Sequence, residues 1–120
     1  MSQIKSYKEL IVWQKSMVLV SDIYKVSASF PDSEKFGLTS QMRRASVSIP
    51  SNIAEGWGRL SRKNYIQFLR ISRGSLFELE TQLLITKELN YISDVEIINN
   101  LITEISKMLN SLIKKLEEKN

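Results

Sequence analysis

The sequence contains neither cysteine nor histidine among its 120 residues. The absence of cysteine excludes disulfides, thiolate nucleophiles and cysteine-ligated metals. The absence of histidine removes the commonest general base and the commonest transition-metal ligand. A glycine-rich phosphate loop is missing, and no pair of carboxylates on a core face has metal-ligand or acid–base spacing. We therefore expect neither a cofactor nor an enzymatic activity.

Proline, glycine and long apolar runs are also scarce. Four Gly and two Pro in 120 residues favour long helices over a sheet with many tight turns. The first residues lack the apolar segment of a signal peptide, and no apolar run approaches the roughly 20 residues that span a bilayer. These features predict one cytoplasmic domain over residues 1–120, without a membrane partner and with 42% apolar residues to fill one core.

Apolar residues at helical spacing predict four helices. Capping boxes, in which Glu follows Ser by three positions, mark the start of the first and the fourth. The start and stop signals place the helices at Ser6–Phe30, Leu38–Gly58, Ser61–Leu89 and from Ser93 onward. Because short connections join antiparallel neighbours, the predicted fold is all-α, an antiparallel up-down-up-down four-helix bundle.

The first helix carries two apolar stripes. The stripe predicted to face the core has steps of 3, 4, 3 and 4 and consists of Leu10, Trp13, Met17, Val20 and Tyr24. The second stripe widens the buried face and consists of Val12, Leu19, Ile23, Val26 and Phe30. Their combined width predicts a helix that is buried over more than one narrow seam.

Two helices contain residues that helix interiors usually avoid. Pro50 lies inside the second helix and loses a backbone hydrogen bond, which predicts a kink near residues 46–50. Gly74 lies in the middle of the third helix, where glycine costs about 1 kcal/mol relative to alanine. This cost indicates that another helix approaches closely at Gly74, either inside the bundle or from a neighbouring subunit.

Positive charge is concentrated in residues 41–75. Seven cations and a single acid, Glu55, give this stretch a net charge of +6, and the cations are Arg43, Arg44, Arg59, Arg62, Lys63, Arg70 and Arg73. Arginine binds phosphate and carboxylate with a bidentate fork, so these residues are candidate nucleic-acid ligands. In the alternative hypothesis they form ion pairs with Glu55, Glu78, Glu80 or acids of the fourth helix, within one subunit or across an oligomer interface.

Two parts of this basic stretch suggest an anion site. Arg62 and Lys63 follow the predicted cap at the start of the third helix, where free backbone N–H groups attract anions. On the second helix, steps of 4, 4 and 3 align Arg44, Ser48, Asn52 and Glu55 on one polar face. Ordinary capping by Ser61 and solvated surface charge would explain the same residues without a ligand.

Two long motifs resemble a known family. FGLTSQMRRASVSIPSNIAEGWGR at 36–59 and FLRISRGSLFELETQL at 68–83, with Leu10–Trp13 and Phe30-Pro31, resemble the four-helix-bundle family named after 23S rRNA intervening-sequence proteins, also called the S23 ribosomal protein family. The resemblance covers residues 7–91. Ser46 and Ser72 stand where the family usually has alanine, and Tyr7 and Tyr65 where it often has phenylalanine.

The family resemblance implies an assembly and partners. It implies a homopentameric ring and kinship with the accessory proteins of diversity-generating retroelements, and thereby nucleic acid and a reverse transcriptase as partners. Our leading hypothesis is a non-catalytic oligomer that binds RNA through its arginines. The alternative is a protein-binding scaffold whose arginines form interface salt bridges.

Overall fold

Four α-helices make up most of the computed structural model, which describes residues 3–119. Two short 3-10 helices, Tyr7–Glu9 and Asp32–Glu34, precede the first and second α-helices. The α-helices are α1 (Ile11–Ser27), α2 (Leu38–Trp57), α3 (Arg62–Glu88) and α4 (Glu96–Glu118). Residues 3–119 contain no β-strand, and none of the described helices is long and apolar enough to cross a bilayer. The predicted all-α four-helix bundle is confirmed.

The helices lie side by side in a body of 49 × 24 × 21 Å, with the closest packing between α2 and α3. The hydroxyl oxygens of Ser48 and Ser75 lie 2.8 Å apart. Further along α2, Gly56 lies against Phe68 near the start of α3. The contacts thus pair residues in opposite order along the two helices, as a short connection requires.

The buried face of α1 differs from the prediction. Val12, Leu19 and Ile23 are buried in the core, whereas Met17 and Tyr24 are 45% and 43% exposed. The stripe expected to face the core therefore lies at its edge, and the stripe expected to widen it is central. The difference arises from tertiary packing. Because α1 packs against both α2 and α4, the residues of α1 that face these two helices are the buried ones.

Serine caps hold at two of the three predicted positions. Ser6 and Glu9 form the capping box, but it caps the 3-10 helix, and α1 begins only at residue 11. Ser61 caps α3 through its side-chain oxygen. The prediction of a box at Ser93 is wrong, because Asp94 instead accepts the first backbone N–H of α4, at 2.9 Å. The Asp94 carboxylate, two residues ahead of Glu96, thus accepts the N–H that the Ser93 hydroxyl was expected to accept.

Side-chain donors surround Pro50, which lies inside the continuous helix α2. The Ser72 hydroxyl donates to the Ile49 carbonyl at 2.8 Å, and the Asn52 amide donates to the Ser48 carbonyl at 2.8 Å. These bonds add partners to the carbonyls on the N-terminal side of the proline. The kink itself stays a prediction.

Close helix approach occurs at a different glycine from the one predicted. A Cβ placed on Gly74 would meet nothing within 4 Å, so the expected approach of another helix inside the bundle is wrong. A Cβ on Gly56 would lie 2.7 Å from the Cβ of Phe68. Glycine at position 56 is what allows α2 and α3 to touch, and the neighbouring-subunit alternative at Gly74 stays a prediction.

Candidate nucleic-acid interface

The seven cations of the basic stretch fall into separate groups in the structure. Arg43 and Arg44 lie in the second turn of α2, and we call them the α2 cations. Arg59, Arg62 and Lys63 surround the connection between α2 and α3, and we call them the connection cations. The intervening length of α2 separates the groups by about 20 Å at 1.5 Å per residue. Five of the seven cations therefore lie at two distant positions, and the other two, Arg70 and Arg73, lie further along α3.

Arg43 is fastened to the C-terminal end of α1. Its Nε donates to the Ser27 hydroxyl at 2.9 Å and its Nη2 donates to the Tyr24 carbonyl at 3.2 Å. The guanidinium also lies 4.6 Å from the centroid of the Tyr24 ring. A cation that caps the last carbonyls of a helix is favoured by the helix dipole. Within residues 3–119, the contacts of Arg43 are with α1 and not with the carboxylates named in the ion-pair alternative.

The polar face that starts at Arg44 is partly used inside the bundle. Asn52 donates to the Ser48 hydroxyl at 3.0 Å, and Ser48 in turn contacts Ser75 of α3. Both Ser48 and Asn52 are half-buried. Arg44 and Glu55 are exposed, so they are the members of this face that solvent and ligands can reach fully.

The connection cations occupy the most open part of the chain. Every residue from 58 to 64 is exposed, because the chain leaves one helix and enters the next here. Arg59 lies 3.6 Å from the Glu55 carboxylate and 4.9 Å from the centroid of the Phe68 ring. Arg62 and Lys63 stand in the first turn of α3, where the helix dipole is positive. This end of the bundle therefore presents cations and a helix N-terminus together.

Arg70 and Arg73 bond to α4. Arg70 forms an ion pair with Glu117, and Arg73 Nη1 donates to Asn110 Oδ1 at 3.0 Å. A groove of about 500 Å³ runs from the first turn of α3 to the Arg70–Glu117 pair. The Arg70–Glu117 pair agrees with the alternative in which acids of the fourth helix partner these arginines, whereas Arg73 bonds to an amide.

The sequence reasoning assigned no functional residue to the loop that precedes α2. Glu34 accepts the Leu38 N–H at 3.1 Å and the Tyr91 hydroxyl at 2.9 Å, so the loop is tied both to α2 and to the α3–α4 connection. The hydrogen bond to Glu34 raises the pKa of the Tyr91 phenol. Between Glu34 and the helix, Phe36 is 90% exposed. The sequence signal that could have identified this loop is an aromatic side chain beside Gly37 among charged residues.

Acidic side chains show no sign of a metal centre. Across residues 3–119, Asp and Glu side chains nowhere gather in a group of three that could hold a metal ion. Several carboxylates instead take part in the ion pairs and caps given above: Glu9, Glu34, Glu55, Asp94 and Glu117.

Comparisons with known proteins identify relatives. A family model described as 23S rRNA-intervening sequence protein matches residues 8–111. A crystal structure described as a protein of unknown function from the S23 ribosomal protein family of Bacteroides thetaiotaomicron VPI-5482 is 32% identical, with a TM-score of 0.80. That similarity covers 87% of this chain and 99% of the other. No curated protein matches this chain.

Proposed function

Because the chain belongs to the 23S rRNA-intervening sequence protein family, we propose that it is a non-catalytic oligomer that binds RNA through exposed cations. The connection cations are the centre of this site. The groove from these cations to Arg70 continues the site along α3, and Arg44 is a further exposed cation on α2. The proposal concerns the RNA backbone, because phosphates are what arginine and lysine recognise without regard to sequence.

One observation carries the proposal. The seven residues from 58 to 64 are all exposed and include Arg59, Arg62 and Lys63 but no carboxylate. Ser61 caps α3 with its side chain, and the first turn of the helix adds its own positive potential. A phosphate at this position would meet two flexible cations and a helix N-terminus without displacing an existing ion pair of Arg62 or Lys63.

Assembly into a homopentamer belongs to the same proposal. The outer face of α3 carries large apolar side chains that are each 42–49% exposed: Ile71, Phe77, Leu84 and Ile85. Exposed apolar residues on one helix face support contact with a neighbouring subunit. Five copies would repeat the connection cations five times, so phosphate contacts would add across subunits. Kinship with the accessory proteins of diversity-generating retroelements stays a prediction, as does a reverse transcriptase as partner.

The same apolar face supports a second candidate, a protein-binding scaffold. In that case Phe77 and Leu84 would contact a partner protein, and the arginines would form salt bridges across the interface. The Arg70–Glu117 ion pair shows that this surface already pairs cations with acids. RNA binding and its dependence on salt separate the two candidates.

The test removes the two cations at the start of α3. The double variant Arg62→Ala, Lys63→Ala should bind a labelled structured RNA more weakly, and about equally so for unrelated sequences. The slope of log K against log salt should shrink by up to about 2 per engaged subunit, because each lost phosphate contact releases one counterion fewer. Fluorescence anisotropy at several salt concentrations measures both quantities.

A matched control removes the same charge elsewhere. Lys87 and Lys107 are exposed and lie outside the connection cations, so Lys87→Ala, Lys107→Ala should leave the slope close to that of the wild type. If the wild type binds no RNA at about 50 mM salt, where phosphate binding is strongest, the RNA proposal fails and the scaffold remains. Native mass spectrometry tests the pentamer, which a monomeric wild type would refute.

A further inference from the structure

Phe36 is exposed to an unusual degree for a large aromatic side chain. The residue is 90% exposed, although the loop that carries it is held by the two bonds of Glu34 to the Leu38 N–H and to the Tyr91 hydroxyl. The Lys35 ammonium lies 5.5 Å from the centroid of the Phe36 ring. The ring is thus presented to solvent from a fixed loop, beside a cation.

A groove of about 680 Å³ lies next to this ring. It is larger than the groove between α3 and α4, and Lys35, Arg43 and Arg44 are among its lining residues. A second exposed aromatic, Tyr24, forms part of the wall and carries the Arg43 guanidinium on its face. The residues that line the groove include no acid, and the nearest carboxylate in sequence, Glu34, is engaged in its two hydrogen bonds.

We propose that this groove binds an unpaired nucleotide of RNA, with the base stacked on Phe36 and the flanking phosphates at Lys35 and Arg44. Proteins bind single-stranded nucleic acids with exposed aromatic rings beside cations, because each unpaired nucleotide has a base that stacks on the ring and a phosphate that interacts with the cation. The inference rests on the RNA binding proposed above and specifies a second site. Along α2, its Arg44 lies about 20 Å and its Phe36 about 30 Å from the connection cations.

The geometry favours a single strand over a duplex. In a duplex the bases are stacked on one another and their faces are covered, so a protruding phenyl ring has nothing to stack on. Arg44 and Lys35 would still contact duplex phosphates. Stacking on Phe36 should therefore add affinity for single-stranded RNA alone, whereas the cations of the groove should contribute to binding of both ligands.

The test compares aromatic with aliphatic side chains at position 36. The ligands are a fluorescein-labelled oligouridylate of about eight nucleotides and a blunt RNA duplex of about 16 base pairs. Phe36→Leu should weaken binding of the oligouridylate about tenfold, whereas Phe36→Tyr should stay within about twofold of the wild type, because only the aromatic variant stacks. Duplex affinity should be unchanged in both variants.

Arg44→Ala provides the electrostatic arm. It should weaken binding of both ligands and reduce the slope of log K against log salt by about 1 for each engaged subunit, because it removes one phosphate contact. The side chain at position 36 is exposed, so far-ultraviolet circular dichroism should be the same for all variants.

Three results would overturn the inference. If Phe36→Leu binds the oligouridylate as the wild type does, no base stacks on Phe36. If Phe36→Leu changes the mass of the assembly in native mass spectrometry, the ring contacts a second copy of the chain instead. If duplex binding depends on Arg62 and Lys63 while no variant in the groove affects the oligouridylate, the proposed function stands and this site fails. A wild type that binds neither RNA would refute the proposed function itself.

Discussion

Replacing Gly56 and Gly74 by alanine should change the free energy of unfolding in opposite directions, although both glycines lie inside helices. At Gly56 the new Cβ would lie 2.7 Å from the Cβ of Phe68 and 3.1 Å from the ring of Tyr65. The Phe68 Cβ is attached directly to the α3 backbone, so rotation of the side chain cannot relieve the contact. Ordinary contact begins at 3.4 Å, and the two helices would have to separate by about 0.7 Å to reach it.

Two opposing terms set the magnitude. Overpacking at a tight helix contact costs about 1–3 kcal/mol, while alanine gains up to about 1 kcal/mol over glycine inside a helix. Gly56→Ala should therefore lower the free energy of unfolding by up to about 2 kcal/mol. At Gly74 nothing lies within 4 Å of the added methyl group, so the gain of about 1 kcal/mol remains. The midpoints of thermal unfolding of the two variants should differ by about 10 °C.

Urea unfolding followed by circular dichroism measures both free energies. Protein concentration must be the same in all samples, because dissociation of an oligomer shifts its apparent stability. A Gly56→Ala variant as stable as the wild type would refute the close approach of α2 and α3. A Gly74→Ala variant that is less stable and has a lower native mass would show that a neighbouring subunit packs on Gly74, contrary to the open space in a single chain.

Three further substitutions test local features. Arg43→Ala should lower the free energy of unfolding by about 1–2 kcal/mol, because it removes the bonds to Tyr24 and Ser27. Urea unfolding measures this loss. Lysine lacks the planar fork of arginine, so an Arg43→Lys variant as stable as the wild type would contradict the explanation. Pro50→Ala should fold and change stability by about 1 kcal/mol, and complete loss of helical circular dichroism would show that the fold requires proline there. Burial raises the pKa of Tyr65 to about 12, so the unfolded chain loses this proton first, near pH 10, and stability should fall as pH rises from about 10 to 12. Tyr65→Phe should remove the part of this loss of stability that comes from Tyr65. Urea unfolding at several pH values measures it, and the same dependence of the free energy of unfolding on pH in the variant and the wild type would refute the assignment.

The helices were predictable from sequence because their signals are local. Period-3.6 apolar spacing and the scarcity of glycine and proline need no knowledge of neighbouring helices. The buried face of α1 was not predictable in the same way. Val12 and Met17 both belong to stripes of helical period, and which stripe faces inward depends on the positions of α2 and α4. The same limit applies to the two glycines, because close approach is a property of two helices.

The candidate site was predictable in composition but not in arrangement. Counting charge found the arginines, yet their partners lie far away in sequence: Arg43 contacts Tyr24, and Arg70 pairs with Glu117. Only the packing of α1 on α2 and of α3 on α4 brings these groups together. Phe36 was overlooked because an aromatic residue before a helix is usually buried, and its exposure is a fact of the folded chain.

The number of cations that can bind phosphate depends on which of them already form bonds within the chain. Four of the seven predicted cations are bonded within the chain: Arg43, Arg59, Arg70 and Arg73. Among residues 3–119, the other three have neither a hydrogen bond nor an ion pair from their side chains: Arg44, Arg62 and Lys63. A cation that must give up an existing bond gains less from a phosphate. Each subunit should therefore contribute about 3 to the salt slope of RNA binding from these seven residues, not the 7 that charge counting implies.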